Sequence, residues 1–303
     1  MGQTYDQPVH RYALFLAFCT FVLIIAGALV TSNEAALSVP TWPGPVMPPM
    51  VGGIRYEHSH RIIAATVGLL TIVLAVLLWR REDRNWMRWL GAAALGTVVA
   101  QGVLGGLTVL LNLHYGISVV HACLAEIFFG LIVSIALFTS QWWRGDVPKL
   151  EDRGWPSVGT LAVLNAAVIF LQVIFGAAFR HKDISIVPHL LGAVAVTATV
   201  TWTAAALRRR FSSARELSVA RILLHSIFGT QFLLGIGAWW SRLSTADAPQ
   251  PMPVMVTLTV AHTVVGALTF ACAVLVVLLC RRLVQRSREE AAYDRRPEGA
   301  ALS

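Results

Sequence analysis

Apolar residues fill eight long blocks of this chain, near 12–31, 56–79, 87–111, 116–140, 156–179, 185–207, 218–240 and 255–280, with short polar stretches between them. A helix needs about 20 apolar residues to cross the hydrocarbon core of a bilayer, and each block supplies them. Lipid offers no partner to open backbone N–H and C=O groups, so a helix is expected in every block. The pattern predicts an all-α integral membrane protein with eight transmembrane helices. The first block is too long and too evenly apolar for a signal-peptide core, and no clear cleavage site follows it, so it is expected to remain as the first helix.

The polar stretches set the orientation. Arg80, Arg81, Arg84 and Arg88 follow the second block, Arg208, Arg209, Arg210, Arg215 and Arg221 follow the sixth, and Arg281, Arg282, Arg286 and Arg288 follow the eighth. Clustered arginines mark cytoplasmic connections, which puts both termini inside a bacterial-type plasma membrane. The connection at 141–155 is mixed in charge. The outer side then holds loop 32–55, short turns near 112–115 and 180–184, and loop 241–254. Loop 32–55 carries Pro40, Pro43, Pro45, Pro48 and Pro49 around Trp42. Proline narrows the chain's freedom, so this loop is either a shaped cap or a stiff connector.

Composition supports the membrane reading. Hydrophobic residues make up 56% of the 303 residues and charged ones 13%, about half the usual charged share of a soluble domain. The net charge of +8 lies in short loops between spans, so it is a topology signal and no nucleic-acid partner is expected. Cys19, Cys123, Cys272 and Cys280 all fall within or at the edge of apolar blocks, which argues against a disulfide framework or a CxxC metal site.

The blocks repeat. Gln101-Gly-Val-Leu-Gly105, Gln172-Val-Ile-Phe-Gly176 and Gln231-Phe-Leu-Leu-Gly235 occupy matching places in the third, fifth and seventh blocks, while the first has Gly27 without a glutamine. Each is followed by an outer turn and a block with an early histidine: His60, His121, His189 and His262. Small residues come one turn later, at Ala64, Ala125, Gly192 and Gly266. The chain therefore divides into a half at 1–140, a linker at 141–155, a half at 156–280 and a charged, solvated tail at 281–303. With four spans per half, the repeats are parallel, related by an axis along the membrane normal.

An ionisable side chain inside a membrane is costly and usually functional. A single such histidine is as readily a hydrogen-bonded core residue, but four at equivalent places point to ligands. Pairing within halves gives His60 with His121 and His189 with His262, and two facing imidazoles in a four-helix bundle suit the axial positions of a metal macrocycle. The small residues one turn later would let the macrocycle approach. His10 is terminal, His114 and His181 lie in outer turns and are expected to be solvated, and His225 near an inner helix end has no repeat partner. Glu57 shares a helix face with His60 and stands four before Arg61. It is either a catalytic carboxylate beside an iron ligand or half of a helix ion pair. The second half has Ile186 and Thr259 at the matching places, so the halves share ligands and differ in chemistry.

Together, Glu57-x-x-His60-Arg61, Gln101-x-x-Leu-Gly105-Gly-Leu-Thr108, Arg180-His181 after Gly176, His189-Leu-Leu-Gly192 and His262 resemble the haem A synthase (haem O monooxygenase) family over about residues 12–280. The resemblance implies oxidation of the C8 methyl of haem O to the formyl group of haem A by two hydroxylations and loss of water. It implies that His60 and His121 hold haem O or haem A beside the catalytic Glu57, and that His189 and His262 hold haem b as an electron relay. Arg61, Arg180 and Arg242 would lie where haem propionates sit, although for Arg242 a plain surface role fits better. It also implies an electron donor, a haem O-producing enzyme, terminal-oxidase assembly factors and membrane lipid as partners. Many members carry a cysteine pair in the first outer loop; here Ser38-Val-Pro-Thr-Trp42-Pro-Gly-Pro45 has none, so no outer dithiol can take part.

Two rivals remain at this point. A di-haem b-type electron carrier would need the four histidines but not Glu57. A transporter with rocking repeats would need polar residues at mid-membrane, for which the reading offers Gln101, Gln172 and Gln231.

Overall fold

A computed structural model describes residues 6–44 and 47–286. Eight of its helices are long and apolar enough to cross a membrane. They are α1 (Gln7–Ser32), α2 (Ile54–Arg81), α3 (Asn85–Leu110), α4 (Tyr115–Thr139), α6 (Val158–Arg180), α7 (Val187–Arg210), α8 (Arg215–Ser244) and α9 (Pro253–Leu283). The expected spans are all present, with α1 starting earlier and α8 ending later than the apolar blocks suggest. Three caps explain local boundaries: Asp6 accepts from Val9 N–H at the start of α1, Ser157 from Thr160 N–H at α6, and prolines open α1, α7 and α9.

Within the first half α1 packs on α2 and α4, and α3 on α2 and α4, which closes a four-helix ring. In the second half α6 and α8 each pack on both α7 and α9. The rings meet where α1 and α4 lie against α9, and α4 against α6. Each ring has its own apolar core, Leu16, Leu74, Leu78 and Ile132 in one and Leu161, Val200, Leu224 and Val276 in the other, and Phe129, Ala267 and Ala271 fill the seam between them. Many side chains on the outer faces of α2, α3 and α8 are large, apolar and exposed, as lipid-facing surfaces are.

The linker is structured. It contains a short helix, α5 (Gln141–Arg144), and a strand, β1 (Leu150–Asp152), which pairs in parallel with β2 (Val284–Arg286) just past α9. The last span thus runs to Leu283, beyond the expected end. The tail expected to be solvated lies, from 287 onward, outside the described residues.

Buried carboxylates anchor this arginine-rich end. Glu82, 2% exposed, accepts from Arg84 Nε at 3.0 Å and Nη2 at 2.9 Å and from Arg144 Nη2 at 2.6 Å, tying α5 to the α2–α3 turn. Asp152 accepts from Val158 N–H at 2.7 Å and from Arg210 Nη1 at 3.3 Å. Burial alone raises the Glu82 carboxyl, but the hydrogen bonds and charge of Arg84 and the charge of Arg144 outweigh it and hold it below the usual carboxylate range. A carboxyl with a lowered folded-state value stabilises the fold above its unfolded value, and that stability is lost as pH falls through the folded value. Removing one partner of a buried ion pair costs roughly 3–5 kcal/mol. Thermal unfolding of purified protein should therefore show Glu82→Gln melting lower at neutral pH and losing less on acidification than the parent does.

Candidate functional site

The four expected ligands occupy equivalent places, defined by glycines. An added Cβ would meet the Cε1 atom of His60 at 3.1 Å from Gly27, of His121 at 3.4 Å from Gly105, of His189 at 3.0 Å from Gly176 and of His262 at 2.9 Å from Gly235. In every case the ring of an even span lies flat against the backbone of the span before it. The histidines are not equally deep by helix numbering: His60 and His121 are six residues in from the starts of α2 and α4, His189 two from that of α7, and His262 nine from that of α9. The constant is the contact with the glycine, not the distance from the helix end.

The ring orientation follows from donors and acceptors. Nδ1 is the nitrogen nearer the glycine at each of the four sites. For His262 it lies 3.2 Å from the Gln231 carbonyl. A carbonyl only accepts, so Nδ1 carries the proton and Nε2 keeps its lone pair. The Nδ1 atoms of His60, His121 and His189 are buried without a hydrogen-bond partner. The amide groups of Gln172 and Gln231 lie 3.5 and 3.4 Å from the Nε2 atoms of His189 and His262. Gln172 also donates to the His189 carbonyl at 2.8 Å, as Gln101 does to that of His121 at 3.1 Å. The Gln-x3-Gly repeat is therefore a two-part seat: glycine admits the ring, and glutamine fixes the helix carrying it.

The small residues after the histidines do something other than expected. A Cβ on Gly192 would strike Gln172 Oε1 at 2.0 Å, and one on Gly266 would meet Gln231 Nε2 at 3.1 Å. They make room for the glutamines; close approach at the rings comes from the glycines of the odd spans.

In the second half the rings of His189 and His262 face each other with centroids 6.2 Å apart and planes at 85°. A metal–nitrogen bond of about 2 Å on each side, plus the distance from each nitrogen to its ring centre, spans about 6 Å. The pair therefore fits an iron held between two imidazoles, and the protonated Nδ1 of His262 leaves the correct atom free. Among the described residues no group of three or more His, Cys, Asp or Glu side chains could hold a bare metal ion. The donor set is a pair, as a macrocycle requires.

Glu57 has both oxygens engaged. Oε2 accepts from Val39 N–H at 2.8 Å and Oε1 from Arg61 Nη2 at 2.6 Å. Arg61 also donates to the carbonyls of Thr41, Pro43 and Val39. The two side chains thus brace the first outer loop, and Trp42 from that loop lies on Gly106, the residue after the glycine facing His121. The loop is a cap over the first half. Of the two readings open for Glu57, the ion pair with Arg61 is present, and the carboxylate stays on the face of α2 that carries His60.

Arg180 bridges the halves. It donates to Thr263 Oγ1 at 2.5 Å, Ala28 O at 3.0 Å and Ser32 Oγ at 2.8 Å, next to His262 on one side and Gly27 on the other. Three of its five N–H groups are used. His181, expected to be solvated, is half-buried, and burial followed by the charges of Arg180 and His121 pushes it down to about 4.

Sequence reading missed two buried polar groups within spans. Glu126 is 8% exposed, with one oxygen lacking a partner, and Asn165 is fully buried and accepts from Thr199 Oγ1 at 3.1 Å. The signal was available, an acid and an amide inside apolar blocks, and the three glutamines are not the only polar residues there.

Comparison with known proteins finds that a family model described as cytochrome oxidase assembly protein, COX15-CtaA, matches residues 54–187. Heme A synthase of Halalkalibacterium halodurans is 24% identical over 249 residues, 71% of this chain and 81% of that protein. Heme A synthase of Symbiobacterium thermophilum is 33% identical over 192 residues, 55% and 58% of the two chains. That of Alkalihalophilus pseudofirmus is 32% identical over 121 residues, 35% and 40%.

The glycine contacts give a graded expectation. Gly235→Ala and Gly176→Ala should displace their rings and lower the haem-to-protein ratio after purification, whereas Gly105→Ala, with the longest approach, should lower it least. Pyridine haemochrome quantification against total protein reads the ratio.

Proposed function

The chain belongs to the haem A synthase family, and on that premise we propose that it converts haem O to haem A by oxidising the C8 methyl within the membrane. The observation that carries the reading is the pair of facing imidazoles set against helix glycines, repeated in both halves. Haem b in the second half would supply one-electron transfer. His189 and His262 would be its axial ligands. His60 and His121 would hold the substrate porphyrin in the first half, beneath the cap formed by the first outer loop. Two hydroxylations of the methyl carbon followed by loss of water give the formyl group.

The chain's own residues do the positioning. Gly27 and Gly105 let the first pair of rings lie close to the backbone, and Trp42 over Gly106 keeps water from the outer side of the site. Glu57 is the acid nearest in sequence to a first-half ligand, and its proton traffic would run through the hydrogen bonds to Arg61 and Val39 N–H. Arg180 is the better-placed partner for a propionate, having two N–H groups to spare between the halves; Arg61 would reach one only by releasing loop carbonyls. We place the arginine-rich end and both termini on the cytoplasmic side of a plasma membrane. An electron donor and a haem O-producing enzyme are the partners this chemistry needs, and terminal-oxidase assembly factors are the recipients the family's description suggests.

One observation favours a second reading. Both Glu57 oxygens are occupied by structural partners, which suits a di-haem electron carrier with no need of a free carboxylate.

Expression with a haem O source, followed by acid extraction and chromatography of the haems, separates the two. For the synthase, the parent accumulates formyl-bearing haem. His60→Ala makes none while keeping the haem b of the second half, and Glu57→Gln lowers product by about tenfold or more, the usual contribution of a general acid or base. Haem b alone in the parent, despite supplied haem O, would establish the carrier instead.

A further inference from the structure

A cleft opens between α7 and α8 toward the arginine-rich end, away from the histidine layer. Two adjoining cavities of about 380 and 600 Å³ share Thr201, His225 and Ser226. The one nearer the membrane middle is walled by Phe228 and Phe232. The one nearer the helix ends is walled by Arg208, Arg209 and Arg221.

These arginines differ from their neighbours. At the same end of the molecule Arg84 and Arg144 are paired with Glu82, Arg81 with Asp6 and Arg210 with Asp152. Arg208, Arg209 and Arg221 enter no ion pair among the described residues. Arg221 Nε is shut off from solvent with no hydrogen-bond partner. Glu216, the acid in the first turn of α8, accepts from the Trp142 indole N–H at 3.3 Å. His225 sits ten residues in from the start of α8, about 15 Å along the axis, yet it is exposed on a face that meets lipid. An orphaned guanidinium nitrogen beside a concentration of uncompensated charge is costly unless an anion completes it.

We propose that this cleft binds one phospholipid with an anionic headgroup from the leaflet on the arginine side. The phosphate lies among Arg208, Arg209 and Arg221, whose planar N–H groups match phosphate oxygens. The polar glycerol region meets His225 and Ser226, and an acyl chain runs along Phe228 and Phe232. A free phosphate would satisfy the arginines and leave the apolar cavity unfilled; the continuous polar-to-apolar lining selects an amphiphile. The acidic pair Glu289 and Glu290 of the tail is the other source of negative charge in this chain, and it would leave the apolar walls unfilled as well.

The test uses the haem-loaded full chain in neutral detergent, titrated with phosphatidylglycerol or phosphatidylcholine and read by native mass spectrometry. One phosphatidylglycerol should be retained per chain in preference to phosphatidylcholine, and inorganic phosphate should not displace it. Arg209→Gln with Arg221→Gln should lower its occupancy about tenfold, at roughly one favourable charge contact per arginine, with haem content unchanged. Arg209→Gln alone keeps the test open should Arg221 prove necessary for folding. Equal retention of both lipids, displacement by phosphate, or the same loss in an Arg80→Gln, Arg81→Gln control would overturn the proposal. So would phosphatidylglycerol binding that appears only after truncation beyond Arg286, which would make the tail the occupant.

Discussion

Four imidazole rings rest against four helix glycines, and the arrangement of both halves depends on that contact. Glycine inside a helix costs roughly 0.5–1 kcal/mol relative to alanine. The cost is met at each place where a ring must come within about van der Waals distance of a neighbouring backbone. At Gly235, Gly176 and Gly27 a methyl group would already press on the ring. With the ring held this way, Nδ1 faces the preceding helix and Nε2 is the nitrogen left for a ligand. Packing thus selects the coordinating atom before any metal arrives.

The halves repeat this device and then diverge. In three of four places a glutamine four residues before the glycine secures the histidine helix; in α1 the corresponding residue is Leu23. The first half has a covering loop in addition, pinned by Glu57, Arg61 and Trp42. The second half has no such lid among the described residues, and its two rings stand 6.2 Å apart. This division suits one half that handles a changing porphyrin and one that keeps a permanent cofactor. Arg180 spans the seam between them through Ser32, Ala28 and Thr263, so a charge change on one side has a direct structural route to the other.

Much of this was legible in the sequence because membranes impose simple rules. Eight apolar blocks became eight spans, and the Gln-x3-Gly and histidine repeats marked the layer that matters. Less legible were features that depend on which helix faces which. The glycines were visible as part of a repeat, but their role as ring seats required knowing that each odd span packs on the next even one. The glycines after the histidines were assigned to a macrocycle and proved to house Gln172 and Gln231. The pairing of β1 with β2 joins segments more than 130 residues apart, and nothing local in either announces it. Glu57 was correctly seen as having a partner in Arg61, but the loop amide of Val39 that occupies its other oxygen is a long-range contact with no sequence signature.

The most direct test is an anomalous-scattering map at the iron absorption edge from crystals of haem-loaded protein. Two iron peaks per chain are predicted, one between the Nε2 atoms of His189 and His262 and one between those of His60 and His121. A single peak, or iron bound away from these rings, would contradict the account.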